Sequence, residues 1–128
     1  MENLIIKQSK RAPAVHFNTN QGVLELIGRS YMPNAKLFYE PIIDDWLDNY
    51  LEKPREKTTL NLKLEFINTS SSMWIISLLR KLDKLSTESV VEVNWYYTDE
   101  DVFDLGREYK KLVSLPFNFF RDNSFLNN

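Results

Sequence analysis

Cysteine is absent from the 128-residue, 15.2 kDa chain, and histidine occurs once, as His16. Without thiols there is no disulfide framework, no thiol nucleophile and no Cys-ligated zinc or iron–sulfur site. Glycine is scarce: Gly22, Gly28 and Gly106 lie far apart, so no glycine-rich loop can cradle a phosphate. An excess of either charge is also missing. Sixteen Lys and Arg against eighteen Asp and Glu leave a net charge of −2. A nucleic-acid binder would want a strongly basic face, so none is expected as a partner. No apolar run approaches the ~18 residues a membrane span needs, so no membrane partner is expected either. The opening MENLIIKQSK carries an acid at once and only a short apolar patch. It does not read as a secretory signal, and the cytoplasm is the expected compartment.

What is present reads as one globular domain. Apolar residues make up 43% and charged residues 27%, enough to bury a core at this length. Residues 1–12 are polar apart from one patch and end at Pro13, which predicts a loosely held arm. The domain is expected over 13–125, with a short polar tail at 126–128.

Residues 14–18 and 23–27 read as strands joined by a turn, with Gly22 free to take a positive φ. Residues 35–51 read as a helix. Phe38, Ile42, Ile43, Trp46, Leu47, Tyr50 and Leu51 recur at spacings of three and four, with Asn34 as the N-cap. Pro41 interrupts it, so either the helix kinks there or regular helix begins there. Thr59 to Phe66 alternates with a period of two, a strand with one buried face. A helix to about Ser86 follows, then a strand over 89–97. A third helix spans 99–113, with Val102, Leu105, Tyr109 and Leu112 on one face, and a short strand over 116–120 closes the chain. The order is β-β-α-β-α-β-α-β. That predicts an α/β fold, a mixed sheet with an N-terminal hairpin, then parallel strands and three main helices.

Catalytic groups do not converge. His16 stands alone in a short strand, and a lone histidine is more often a structural or surface residue than a base. Asp44 and Asp48 are four apart and could share a cation. Glu40, Asp45 and Glu52 beside them make a solvated acidic face the simpler reading. No catalytic residue, metal site or cofactor is expected, and the chain does not read as an enzyme.

The run Asn68-Thr69-Ser70-Ser71-Ser72 stands out, between a strand end and a helix start. Such residues cap helices and satisfy orphan N–H groups. A hydroxyl there also sits where the backbone tolerates an anion. A phosphate would move the net charge from −2 to about −4 at one spot. On the helix behind it, Ile75, Leu78, Leu79, Leu82 and Leu85 form the buried stripe. Met73, Ser77, Arg80 and Lys84 lie opposite, flanked by Trp74 and Ile76. Either an arm or loop covers Met73 and Trp74, or the sheet and the neighbouring helix bury them, or they form an interaction patch beside a switchable hydroxyl.

Gly28-Arg29-Ser30-Tyr31, then Pro33-Asn34-Ala35, Phe38-Tyr39, Pro41 and Trp46-Leu47, together resemble the SiaC family of bacterial regulatory phosphoproteins. Leu60 to Phe66 running into Asn68-Thr69-Ser70-Ser71, Trp95-Tyr96-Tyr97 and Pro116-Phe117 continue the likeness, over roughly 13–121. The family often has Pro-Glu-Asn after the tyrosine, whereas Met32-Pro33-Asn34 follows Tyr31 here. The resemblance implies a STAS-like fold and a regulatory rather than catalytic activity. A partner kinase would phosphorylate a threonine at a helix start and a PP2C-type phosphatase would reverse it. The unphosphorylated form would bind a diguanylate cyclase, which makes cyclic di-GMP. Carried over by motif, the phosphorylated residue is Thr69, with Ser70 and Ser71 as fallbacks. The partner surface would comprise Asn68, Met73, Trp74, Ser77, Arg80, Arg29, Ser30 and Tyr31. The alternatives are a constitutive scaffold without phosphorylation and, ranked last, a small ligand-binding protein.

Overall fold

The structure, a computed structural model, describes residues 1–127. Six strands form one sheet in sequential order: β1 (Leu4–Ile6), β2 (Ala14–Asn18), β3 (Val23–Ser30), β4 (Lys57–Ile67), β5 (Val90–Tyr97) and β6 (Phe117–Arg121). The first three are antiparallel, and β3 to β6 are parallel. The mixed α/β architecture follows the sequence reading, with one strand added at the front.

That added strand corrects the expected arm. Leu4, Ile5 and Ile6 pair with Phe17, His16 and Val15 of β2. Three residues are too few to display a period, but the open edge of β2 offers them a ladder. Two further contacts tie the segment down. Thr19 donates its N–H and its hydroxyl to Asn3 Oδ1 at 2.9 and 3.0 Å, and Trp46 Nε1 donates to the Glu2 carbonyl at 3.2 Å. At the other end, Ser124–Asn127 form a 3₁₀ turn with Phe125 buried. Of the expected tail, Leu126 belongs to that turn and Asn128 lies outside the described residues.

The first helical segment is continuous: α1 (Ala35–Pro41), a π turn (Ile42–Trp46) and α2 (Leu47–Glu52). Pro41 has no N–H for the α-helical bond. Regular helix does not begin there, since Ala35–Pro41 is already helical; the next turn widens, and the Leu47 N–H donates five residues back to the Ile42 carbonyl. Widening keeps Ile42, Ile43, Leu47 and Tyr50 buried. The remaining helices are α3 (Thr69–Leu85) and α4 (Glu100–Lys110). The expected stripe of α3, Ile75 through Leu85, is buried throughout. Leu112, expected on the buried face of the last helix, lies beyond its end and is exposed.

Sequential strand order with right-handed crossovers places all the helices on one side of the sheet. Burial alternates accordingly. Leu24, Leu26, Leu60, Leu62, Leu64, Val93 and Trp95 are buried under the helices. The intervening side chains form an open polar face on which His16, Glu25, Asn61, Asn94 and Asn118 stand in register.

The alternation breaks at the C-terminal end of β3 and β4. Gly28 pairs with Leu64, but Arg29 pairs with Phe66, so Glu65 is an extra residue. Gly28 has φ +124°, a conformation that a side chain would strain. The bulge turns Phe66 out of the buried set of β4 and leaves it 51% exposed.

Candidate functional site at the start of α3

The parallel strands end at a common rim, and the run Asn68 to Ser72 sits at its centre, between β4 and α3. Asn68 is the N-cap. Its Oδ1 accepts from the Ser71 N–H at 2.9 Å, and its Nδ2 donates to the Met32 carbonyl at 2.9 Å. Its own N–H donates to the Ser30 carbonyl at 2.9 Å. The N-cap therefore fastens α3 to the β3–α1 loop as well as ending the helix.

The serines that follow are used internally. Ser70 Oγ accepts from the Ala35 N–H at 3.1 Å. It serves the start of α1, where Asn34 occupies the N-cap position without a side-chain capping bond. Ser71 is fully buried, and its hydroxyl accepts from Ser30 Oγ at 2.7 Å, which meets the Tyr39 hydroxyl at 2.6 Å. Burial pushes the Tyr39 phenol well above its ordinary range, outweighing the opposite pull of the Ser30 hydrogen bond. The chain is thus a relay of neutral hydroxyls. Ser72 Oγ bonds the Tyr109 hydroxyl of α4, and burial raises that phenol too, with Ser72 pulling it down.

Thr69 differs from all four. It is exposed, it is the first residue of α3, and no group among the described residues bonds its hydroxyl. The first N–H groups of an α-helix have no intrahelical acceptor, so an anion at this position is favoured by both hydrogen bonding and the helix dipole.

The expected partner residues divide by location. Met73 is 72% exposed, Arg80 is exposed, and Trp74 and Ser77 are half-buried on the outer face of α3. Met73, Trp74 and Ser77 line an open groove with Asn34, Lys36 and Ser70. Trp74 and Ile76 also pack against the core, so part of the apolar excess of α3 is structural. Among the described residues, no arm covers Met73. Tyr31 is half-buried on the rim, edge-to-face with Phe66 at 6.0 Å, with Arg11 5.9 Å above its ring. Arg29 points to the open face of the sheet and pairs with Glu65, away from the groove on α3. Ser30 is a correction. It is wholly buried within the hydroxyl relay and cannot touch a partner. Its place next to exposed Arg29 is what strand alternation demands.

Four contributors escaped the sequence reading. Tyr39 and Tyr109 look like ordinary core aromatics, and nothing in their spacing reveals hydroxyl partners on other elements. Phe66 looks buried by period, and only Gly28 hints at the bulge. Lys81 answers the question of Asp44 and Asp48. Its ammonium donates to both carboxylates, at 2.9 and 2.8 Å, and to the Ile43 carbonyl at 3.0 Å. The shared cation is a side chain of α3.

Comparison with known proteins agrees with this fold. The model of a family described as SiaC family regulatory phosphoproteins matches residues 6–122. The chain belongs to the SiaC family. Among solved SiaC structures, apo-SiaC from Pseudomonas aeruginosa superposes with a TM-score of 0.86 at 27% identity, over 94% of this chain and 99% of that one. SiaC of the same organism, solved in complex with the diguanylate cyclase SiaD that it activates, gives 0.85 at 27% identity, over 93% and 99%. An uncharacterised protein of P. aeruginosa strain UCBPP-PA14 is 28% identical over 120 residues, 91% of this chain and 94% of that protein. The SiaC match leaves only the first five and last six residues outside the family's span.

Proposed function

We propose that this chain is a non-enzymatic regulatory adaptor of the cytoplasm, switched by reversible phosphorylation of Thr69. The observation that carries the reading is the division of labour in Asn68 to Ser72. Four side chains hold the fold, and the one left free is a threonine hydroxyl at a helix N-terminus. Burial of Ser71 and the Ala35 bond of Ser70 rank both serines below Thr69 as acceptors. A kinase would phosphorylate Thr69 and a PP2C-type phosphatase would release it.

The client is a diguanylate cyclase, supported by the related SiaC that was solved bound to one. Met73, Trp74, Ser77 and Arg80 supply the client surface on α3, and Asn68 and Tyr31 flank the switch. Phosphate acts there through like-charge repulsion and desolvation at the interface. Arg29 belongs to the rim, on the sheet side of Tyr31.

Thr69→Ala is expected to bind the cyclase as tightly as wild type and to be unresponsive to the kinase. Thr69→Asp is expected to bind at least about tenfold more weakly, about 1.4 kcal/mol. Titration of both variants against the cyclase, with intact-mass peptide mapping of protein from the native host, checks this. Equal affinity of Thr69→Asp and wild type would overturn the electrostatic switch, and phosphate mapped to another residue would move it.

A further inference from the structure

The two edges of the sheet are built differently. β1 is three residues long, with Glu2 two residues before it and Lys7 directly after it, a blunted edge. β6 is the aromatic strand Phe117-Asn118-Phe119-Phe120-Arg121, with no charge before its last residue. No described element pairs with its outer side. The Val93 N–H donates to the Pro116 carbonyl and the Asp122 N–H to the Tyr97 carbonyl, both at 3.0 Å. Even-numbered residues of β6 therefore turn their backbone groups toward β5, and Phe117, Phe119 and Arg121 turn theirs outward.

A chain of side-chain amides runs to this edge across the open face. Asn118 Nδ2 donates to Asn94 Oδ1 at 3.1 Å, Asn94 Nδ2 donates to Asn61 Oδ1 at 2.9 Å, and Asn61 Nδ2 lies 3.5 Å from Glu25 Oε2. Every interior acceptor in the chain receives a donor from the next strand. At β6 the series stops. Asn118 is exposed, keeps a second N–H, and no described donor reaches its Oδ1. Beside it Phe120 is 43% exposed and stacked on Tyr96 at 5.0 Å.

We propose that the β6 edge is a contact surface for a second copy of this chain, forming a two-fold antiparallel β6–β6 pair centred on Asn118. With residue 118 on the axis, Phe117 of each copy faces Phe119 of the other, and both carry outward N–H and C=O groups. Asn118 then falls at a non-hydrogen-bonded position, where facing side chains approach most closely. A primary amide is its own complement, so each Asn118 donates its second N–H to the other's Oδ1. The pairing joins two six-stranded sheets into one and closes on itself, as an isologous interface must. It lies at the sheet edge and uses no side chain of the Thr69 switch.

Native mass spectrometry and sedimentation over a concentration series test this on the full chain. The expected result is a species of twice 15.2 kDa that grows with concentration. Asn118→Lys and Asn118→Asp should each remain monomeric with an unchanged circular dichroism spectrum, because like charges meet on the axis. Mixed in equal amounts, the two should recover a heterodimer. A wild-type chain that stays monomeric throughout overturns the proposal and leaves this edge to a strand of another protein. A dimer that survives Asn118→Lys, or a mixture that fails to pair, overturns the placement of the axis.

Discussion

The value of a hydroxyl in this protein depends on what faces it. Ser30, Ser71 and Tyr39 are chemically ordinary, yet together they close a buried relay whose members have no access to water. Removing one member strands the others. Ser30→Ala leaves the Tyr39 hydroxyl and the Ser71 hydroxyl without their partner, and an orphaned buried polar group costs about 1–3 kcal/mol. The expected outcome is a loss of that size in urea unfolding at neutral pH, with the unfolding slope unchanged. A loss below about 0.5 kcal/mol would mean that water replaces the serine and that the relay is not closed. Thr69, next in the chain to Ser70, has no such debt to the core. A run of five capping residues is legible in sequence, and so is its place at a helix start. Which of the five is free is not legible, because the partners that occupy the others (Ala35, Ser30, Tyr39, Tyr109) come from α1, β3 and α4.

Elements in this fold were legible where one face is buried along their whole length. β4 alternates from Thr58 to Leu64, and α3 repeats its apolar stripe from Ile75 to Leu85, so their types and faces follow from periodicity. β1 was hidden because a three-residue strand has no period and takes its stability from the edge it joins. The π turn was hidden because a widened turn keeps the apolar spacing roughly intact, and Pro41 signals a disturbance without its form. The seating of α4 is decided by one close approach. Gly106 lies on the indole of Trp95, and a Cβ there would come within 2.5 Å of Nε1. Trp95 is buried, flanked by Tyr109 and Phe117, and donates from Nε1 to the Val102 carbonyl at 3.0 Å, so the ring has little room to retreat. Gly106→Ala should therefore lift α4 from the sheet and cost about 1–3 kcal/mol, although alanine favours helix. Thermal unfolding gives the magnitude and the Trp95 emission reports the displaced ring. A stabilised variant with unshifted emission would show that the helix slides without penalty.

At the scale of the whole molecule, the one-sided sheet separates what folds the chain from what it presents. Helices and core occupy one face, the open face is bound up in its own charge pairs and amides, and the rim at the strand ends carries Thr69. Two accounts of the proposed phosphorylation switch then make opposite demands on stability. If phosphate worked by melting the start of α3, an acidic residue at position 69 would destabilise the domain and weaken binding together. If it works at the surface, the two effects part company. A negative charge in the first turn of a helix is favourable by about 0.3–1 kcal/mol, and Thr69 is the first residue of α3. The four pinned neighbours keep that turn in place whatever Thr69 carries. Thr69→Asp should raise the melting temperature by about 1–3 °C at low ionic strength and lose that gain in high salt. Thr69→Ala, which removes no bond, should stay within about 0.5 kcal/mol of wild type. Calorimetry on wild type and both variants, at two salt concentrations, separates the accounts. A Thr69→Asp variant that is more stable yet binds the proposed cyclase partner more weakly places the switch at the interface. One that melts several degrees early, with binding lost in proportion, places it in the fold of α3 and removes the reason for assigning the free hydroxyl a surface role.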